Sequence, residues 1–261
     1  GDQLYQMDFD DLIRKHRKSE AGVTIAAKAM KTSEVLGLGL MDVGDDLSIK
    51  QFVEKPTDPK VIEGLALGDA VTSKLKDANE DKFVLANMGI YCFNMSVLRE
   101  SLKNSFTDFG KEVIPHLLGK VNLKGYVFEG YWEDIGTVHS FFEANLSLTD
   151  PVPPFNFFDE GNLVYTRARF LPATKVNNLV MKRGIVAGGC IISESEVDRV
   201  VLGVRSVIRN GNKLKNVVMM GGDYFESDED RLKNRDLKRP DIGIGENCLI
   251  ENAIIDKNAR I

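Results

Sequence analysis

Carboxylates and one lysine carry the first chemical signal in this sequence. Asp2 stands at its head, and Asp134 lies inside Gly130-Tyr-Trp-Glu-Asp-Ile-Gly136, the segment with the only tryptophan. Glycines bracketing aromatic and acidic residues mark a tight turn at a strand end, where α/β sheets bind their ligands. Two carboxylates facing one another can hold Mg2+ for chemistry on phosphates. Taken alone, residues so far apart in the chain are more often separate surface acids. Phe52-Val-Glu-Lys-Pro56 is the second candidate. An apolar strand ends there in Glu54 and Lys55, and Pro56 stops the pairing. A lysine at a strand end can neutralise a sugar phosphate, and a glutamate can accept hydrogen bonds from sugar hydroxyls. The plainer reading is an exposed edge pair.

Two further segments are worth placing. Asn87-Met-Gly-Ile-Tyr91 sits within an apolar strand, where Gly89 permits close approach of a ligand or another backbone. Asp108-Phe-Gly110 precedes a helix, and Asp108 reads as its N-cap. The rest of the kinase signature that shares these letters is absent. His16, His116 and His139 have no ligand spacing, and no nucleophile elbow, Walker loop or dinucleotide fingerprint occurs.

The elements that must position these residues follow from the hydrophobic pattern. Val23–Ala29, Leu38–Val43, Ile49–Val53, Phe83–Phe93 and Val121–Phe128 read as strands. Phe9–Arg17, Ser96–Leu102, Phe109–Leu118 and Val138–Leu148 read as helices; in the last, Thr137 is the N-cap and Val138, Phe141, Phe142 and Leu146 share a face. Leu65–Lys82 reads as a polar surface excursion. Strands interleaved with helices predict an α/β sheet. The formal net charge of −5 offers no basic field for nucleic acid. No apolar run is long enough to span a membrane, and residues 1–20 contain no signal-peptide core. Three widely separated cysteines, Cys92, Cys190 and Cys248, fit small buried side chains in a reducing compartment.

The pattern changes beyond residue 150. Asp150-Pro-Val-Pro-Pro reads as a linker, packed down by Phe155, Phe157 and Phe158. After about residue 175 a period of six replaces the helical period: Ile185, Ile191 and Val197; Val201 and Val207; Ile244 and Ile250; Ile255 and Ile261. Small residues (Gly189, Ser195, Gly211, Cys248) recur at offset four. Three six-residue sides per coil predict a parallel β-helix of hexapeptide repeats, with an ordinary antiparallel β domain as the alternative. Asp223–Pro240, with 11 charged residues in 18, reads as a solvated loop thrown out from one coil. The expected domains are 1–149, a linker 150–175, and 176–261.

Taken together, these segments resemble the ADP-glucose pyrophosphorylase (glucose-1-phosphate adenylyltransferase) family, nearest its plant and cyanobacterial small-subunit type. The resemblance rests on Gly1–Asp8, Gly39–Met41, Phe52–Pro56, Asn87–Tyr91, Asp108–Pro115 and Gly130–Thr137. Tyr165–Pro172 and Ile254–Ile261 extend it beyond the linker. It implies a partial Rossmann-like nucleotidyltransferase domain followed by a left-handed parallel β-helix. The implied reaction joins ATP and glucose 1-phosphate to give ADP-glucose and pyrophosphate, for glycogen or starch synthesis. Asp2 and Asp134 would hold Mg2+ and Lys55 would grip the sugar phosphate. Gly39, Glu54 and Asn87 would line the sugar, with Asp108, Phe109 and Trp132 nearby. The family's usual residue at position 87 is serine, so Asn87 is a departure.

The resemblance also implies a homo- or hetero-tetramer controlled by an anionic allosteric effector. Arg169 and Lys257 match effector positions, with Arg167 close by. It places the protein in bacterial cytoplasm or plastid stroma. The family's Gly-rich phosphate loop with its essential Arg would precede Gly1, and its β-helix would continue past Ile261. The chain is therefore expected to be a fragment, inactive by itself. A non-catalytic regulatory or assembly relative is the alternative. An acyltransferase β-helix would need a histidine in the repeats, and none follows His139.

Overall fold

The computed structural model describes residues 2–75 and 82–261. Gly1 and residues 76–81, part of the expected polar excursion, lie outside the described residues. The chain divides into two compact units: Tyr5–Trp132, and Asp2–Leu4 together with Glu133–Ile261.

Strand β1 (Gln3–Tyr5) leads into helix α1 (Phe9–Lys18), capped by Asp8, whose carboxylate accepts from the N–H groups of Asp10 and Asp11. β2 (Val23–Lys31), β3 (Leu40–Val43) and β4 (Ile49–Val53) follow, then the short helices α2 (Pro59–Gly64) and α3 (Asp69–Thr72). β5 (Phe83–Phe93), α4 (Met95–Ser101), a π-turn over Phe109–Val113 that runs into α5 (Ile114–Leu117), and β6 (Leu123–Val127) complete the layer. Five strands form one sheet in the order β4-β3-β5-β2-β6, antiparallel except for β2 and β6. Residues Val23–Ala27 are all buried, which marks β2 as a strand covered on both faces. Ile25, Met41, Leu85 and Ile114 pack on one face. Leu12, Ala26, Met88 and Trp132 pack on the other.

β7 (Trp132–Asp134) pairs with β1 in a separate two-stranded sheet. α6 (Val138–Ser147) starts at Thr137 with a reciprocal capping box. The Ser140 N–H donates to Thr137 Oγ1, and the Thr137 N–H donates to Ser140 Oγ. Val138 does not join the apolar face; it is 77 % exposed, and burial centres on Ala144 and Leu146.

The second unit is built from parallel strands: β8 (Lys175–Met181), β9 (Gly184–Val186), β10 (Ile191–Leu202), β11 (Val207–Ile208), β12 (Asn212–Met219) and β13 (Leu249–Ile255). Ile191 opposes both Lys175 and Val207, and Val200 opposes both Gly184 and Val217. From β8 to β12 the coils are therefore 16 or 17 residues long, shorter than three full six-residue sides, and the step from β12 to β13 is longer because it carries the Asp223–Pro240 excursion. The shorter coils move the inward positions by one residue. Ile192 is fully buried while the expected anchor Ile191 is 37 % exposed. Ile208 is buried beside half-buried Val207, and Val200 and Leu202 are buried on either side of Val201. Val197, Ile244 and Ile255 point inward as expected; Ile185 and Ile250 are half-buried and Ile261 is exposed. Of the small residues, Gly189 and Ser195 are buried, Cys248 is half-buried and Gly211 is exposed.

Asp223–Pro240 differs from a free solvated loop. It forms α7 (Asp228–Asp236), capped by Ser227. Its root is pinned by Glu226, which accepts from the Ile242 N–H at 2.7 Å and Asn234 Nδ2 at 2.8 Å and pairs with Arg260 at 2.7 Å. Composition alone gave no hint of this anchoring, because Glu226 and buried Asn234 look like the segment's other polar residues until their partners are known. All three cysteines are free.

Candidate active site

In the first unit, Glu54 follows β4 and its carboxylate sits between two glycines. A Cβ at Gly39 would lie 2.7 Å from Glu54 Oε2, and one at Gly110 would lie 2.8 Å from the same atom. Any larger residue at either position would displace the carboxylate, so both glycines make room for it. Gly110 is brought there by the π-turn, whose cap Asp108 accepts from the Lys111 N–H at 2.8 Å. Glu112 closes this turn by accepting from the N–H groups of Thr107 and Asp108, which hold its carboxyl below the ordinary value. Lys55, next in the chain, is exposed and has φ +50°, a left-handed conformation that costs a non-glycine residue energy.

Asn87 enters the same cluster from β5. Between Ile25 and Ala27 of β2 the register jumps, with Tyr91 opposite Ile25 and Asn87 opposite Ala27. β5 thus bulges over Met88–Ile90, with Gly89 at φ +69°. Asn87 spans the bulge: Oδ1 accepts from the Gly89 N–H at 2.9 Å and Nδ2 donates to Tyr91 Oη at 2.9 Å. Its backbone N–H donates to the Gly39 carbonyl at 2.8 Å. Phe109 stacks on Tyr91 with centroids 5.7 Å apart. Burial pushes the Tyr91 hydroxyl above its ordinary value against the Asn87 hydrogen bond, and the charges of Glu54 and Asp108 add to the rise. Tyr91 therefore stays protonated at neutral pH, a donor beside two carboxylates.

Gly39, Glu54, Asn87, Asp108 and Phe109 are thus gathered in one cluster around Tyr91, with Lys55 next to Glu54 in the chain. Tyr91 was not singled out from the sequence, where a tyrosine in an apolar strand reads as core. Its only signal was its place four residues after Asn87 across a glycine. Trp132 lies elsewhere, 6 % exposed among Leu12, Ala26, Met88, Tyr126 and Phe128. Lys28, also missed, donates from Nζ to the Gly130 carbonyl at 2.7 Å and fixes the turn ahead of Trp132. Two cavities of about 520 and 410 Å3 in this unit are lined by other residues.

Asp2 and Asp134 meet in the second unit. The Ile135 N–H donates to the Asp2 carbonyl at 2.8 Å, so the strand pair brings the backbones of Asp2 and the Asp134–Ile135 segment together. Both aspartates are exposed. Burial, and then the charge of Asp134, push the carboxyl of Glu133 above its ordinary value. Farther along, Lys257 Nζ is paired with Asp223 Oδ1 at 2.9 Å, and Arg167 and Arg169 lie exposed ahead of β8.

The family model described as nucleotidyl transferase matches residues 1–151, and the one described as GLGC left-handed parallel beta-helix domain matches residues 169–261. The chain belongs to the nucleotidyl transferase family. The parallel coils of its second unit are the left-handed β-helix that follows a nucleotidyl transferase domain.

Two exposed aspartates carried by neighbouring backbone segments fit Mg2+, which binds through one or two carboxylates and completes its shell with water and substrate phosphates. Among the described residues no group of three or more His, Cys, Asp or Glu side chains gathers. Among the same residues no helix is long and apolar enough to cross a membrane.

Proposed function

We propose that this nucleotidyl transferase joins ATP and glucose 1-phosphate to form ADP-glucose and pyrophosphate. A phosphate oxygen of glucose 1-phosphate attacks the α-phosphorus of ATP. The new P–O bond forms as the bond from the α-phosphorus to the bridging oxygen of pyrophosphate breaks. No covalent work falls to the protein, so its residues position the reactants and neutralise charge.

One observation carries the sugar half of this reading: Glu54 seated between Gly39 and Gly110, with neutral Tyr91 beside it. An acceptor and a donor together match a sugar's hydroxyls, which both give and take hydrogen bonds. Asp108 and Asn87 extend that polar edge, and Phe109 backs the Tyr91 ring. Lys55 supplies a cation for the sugar's phosphate, and its left-handed backbone is the kind of strain that collects at ligand sites. Asp2 and Asp134 would hold Mg2+, which neutralises phosphate charge when bound. Arg169 and Lys257 are our candidates for an anionic effector in a tetrameric assembly, with Asp223 competing for Lys257 in its absence.

The test is pyrophosphate release by the full-length enzyme across matched nucleotide and sugar-phosphate pairs. ATP with glucose 1-phosphate should exceed UTP, GTP or dTTP with the same sugar, and exceed ATP with mannose 1-phosphate. A preference for another nucleotide would replace the adenylyl assignment, and a preference for another sugar would replace the glucose assignment.

A further inference from the structure

We infer that Arg199 is a positioning residue for Asp134, acting through helix α6. The inference rests on the reading that Asp134 holds the metal. Asp134 ends three residues before Thr137, whose capping box fixes where α6 begins. In that short connection a Cβ at Gly136 would lie 3.4 Å from Asp134 Oδ1, so the carboxylate folds back over it. The Ile135 N–H, hydrogen-bonded to the Asp2 carbonyl, holds the same connection from the other side. The direction of Asp134 therefore depends on where α6 sits.

The β-helix sets that place. α6 packs on β10 and β12, and its Ala144 and Leu146 are buried. On its flank Arg199 Nη2 meets Glu143 Oε2 at 3.1 Å, and just past its end Arg183 Nη1 meets Asp150 Oδ1 at 3.5 Å. Arg183 and Arg199 occupy the same corner of successive coils, with the Arg199 N–H donating to the Arg183 carbonyl at 2.9 Å. The column continues through Asn216 and Asn252, joined by a 2.8 Å side-chain hydrogen bond. Arg199, Asn216 and Asn252 all have left-handed φ, +57°, +51° and +52°. Asparagine tolerates that conformation and arginine does so poorly. Arginine stands in this column where a carboxylate of α6 is within reach.

Arg199→Asn is the decisive variant, because it suits the corner backbone while removing the guanidinium and its stem. Two readouts apply, one of them independent of turnover. Amide hydrogen exchange over residues 135–142 should quicken about fivefold, the scale of one partly exposed ion pair, while the strands of the β-helix keep their protection. The Mg2+ concentration for half-maximal activity should rise by about the same factor, with KM for glucose 1-phosphate unchanged. Arg199→Lys should recover part of both effects, and exchanging the charges in Glu143→Arg with Arg199→Glu should recover more than either single change. Unaltered exchange in 135–142 overturns the clamp. So does a uniform rise in exchange across the unit, which would mark Arg199 as merely structural. If Arg199→Asn loosens α6 without moving the Mg2+ requirement, while Asp134→Asn abolishes turnover, the clamp does not position Asp134 and the inference fails with the metal reading intact. If Asp134→Asn keeps normal turnover, the metal reading fails instead, and exchange alone then judges whether Arg199 fixes α6.

Discussion

The two units place their chemistry at opposite kinds of position. In the sheet unit most pairings join distant segments, and irregularities interrupt them: β5 bulges opposite β2, the β3–β4 register shifts, and a π-turn precedes α5. The candidate sugar residues sit at those irregularities, where backbone departs from the ladder and frees polar groups to face a ligand. In the β-helix the strands from β8 to β12 pair at a nearly constant step, the longer step to β13 holds the α7 excursion, and neighbours along a column repeat one environment. At its corners the backbone departs from the ladder, and there Arg199 reaches out to α6 and Arg183 to Asp150 just past it. A sheet built from distant segments can therefore concentrate diverse side chains at one point. A solenoid presents a ruled surface that holds other elements in place.

Breaking the chemistry without breaking either fold gives the largest expected effect. Asp134→Asn removes one exposed carboxylate charge and leaves the capping box of α6 untouched. Turnover should fall by a factor of about 1,000 or more, several kcal/mol of transition-state stabilisation. The melting temperature should stay within about 2 °C of wild type. Turnover within threefold of wild type at saturating Mg2+ would sink the metal role, an estimate of ~0.6 kcal/mol being too little for a lost ligand.

The second prediction tests the one-residue phase of the solenoid. Ile192→Ala should cost about 2–4 kcal/mol of stability, and Ile191→Ala less than about 1 kcal/mol. Denaturant melts of the two variants measure this, and equal losses would contradict the 16- and 17-residue coils. The same pair shows what was legible in the sequence. The β-helix announced itself through a period of six, but Ile191-Ile192 and Val200-Val201-Leu202 offer apolar residues on both faces. Periodicity alone could not choose between them once the coil was shorter than 18. In the sheet unit the opposite held. β4 and β5 match their expected bounds, and Asp108 and Thr137 cap as expected. What stayed hidden was which irregularities meet: nothing in the local pattern of Gly39, Gly110 or Tyr91 says that all three converge on Glu54. Val138 and Trp132 misled for a related reason, since residue type reports a preference for burial or chemistry but not the neighbour that supplies it.

Lys55 separates ground-state binding from chemistry. Lys55→Ala should raise KM for glucose 1-phosphate by about 10-fold to 100-fold while changing kcat less, because a phosphate grip made in both states binds them equally. KM for ATP should move far less. Lys55→Gly is the sharper variant, since it relieves the left-handed backbone while also removing the amine. If Lys55→Gly restores KM, the lysine's role is conformational and the sugar-phosphate assignment falls.

The smallest effect compares one ion pair from each unit. Asp11 on α1 accepts from Tyr126 Oη on β6 at 2.9 Å and pairs with Lys15 and Arg14, tying elements far apart in sequence. Lys15 first, then Tyr126, with Arg14 adding, lower its carboxyl from 3.8 to about 2. Burial and Asp11 together raise the Tyr126 hydroxyl from 10.0 to about 12. A carboxyl lowered by folding adds stability that is fully present above its unfolded value. That stability is lost as pH falls from the unfolded toward the folded value. A tyrosine raised by folding loses its contribution at the other limb, as pH climbs from 10.0 to about 12. Asp11→Asn should therefore destabilise by up to about 1 kcal/mol at pH 7, with the difference closing below about pH 2. On the solenoid, Lys213 and Glu196 lie 3.6 Å apart on adjacent strands, both mostly exposed. Glu196→Gln should change stability by less than about 0.3 kcal/mol, because solvent screens the pair and the strand ladder already fixes both residues. Urea melts at pH 7 and pH 3 measure both variants. An Asp11→Asn loss as small as that of Glu196→Gln, or one that does not shrink with acid, would show that the long-range tether contributes no more than a surface pair.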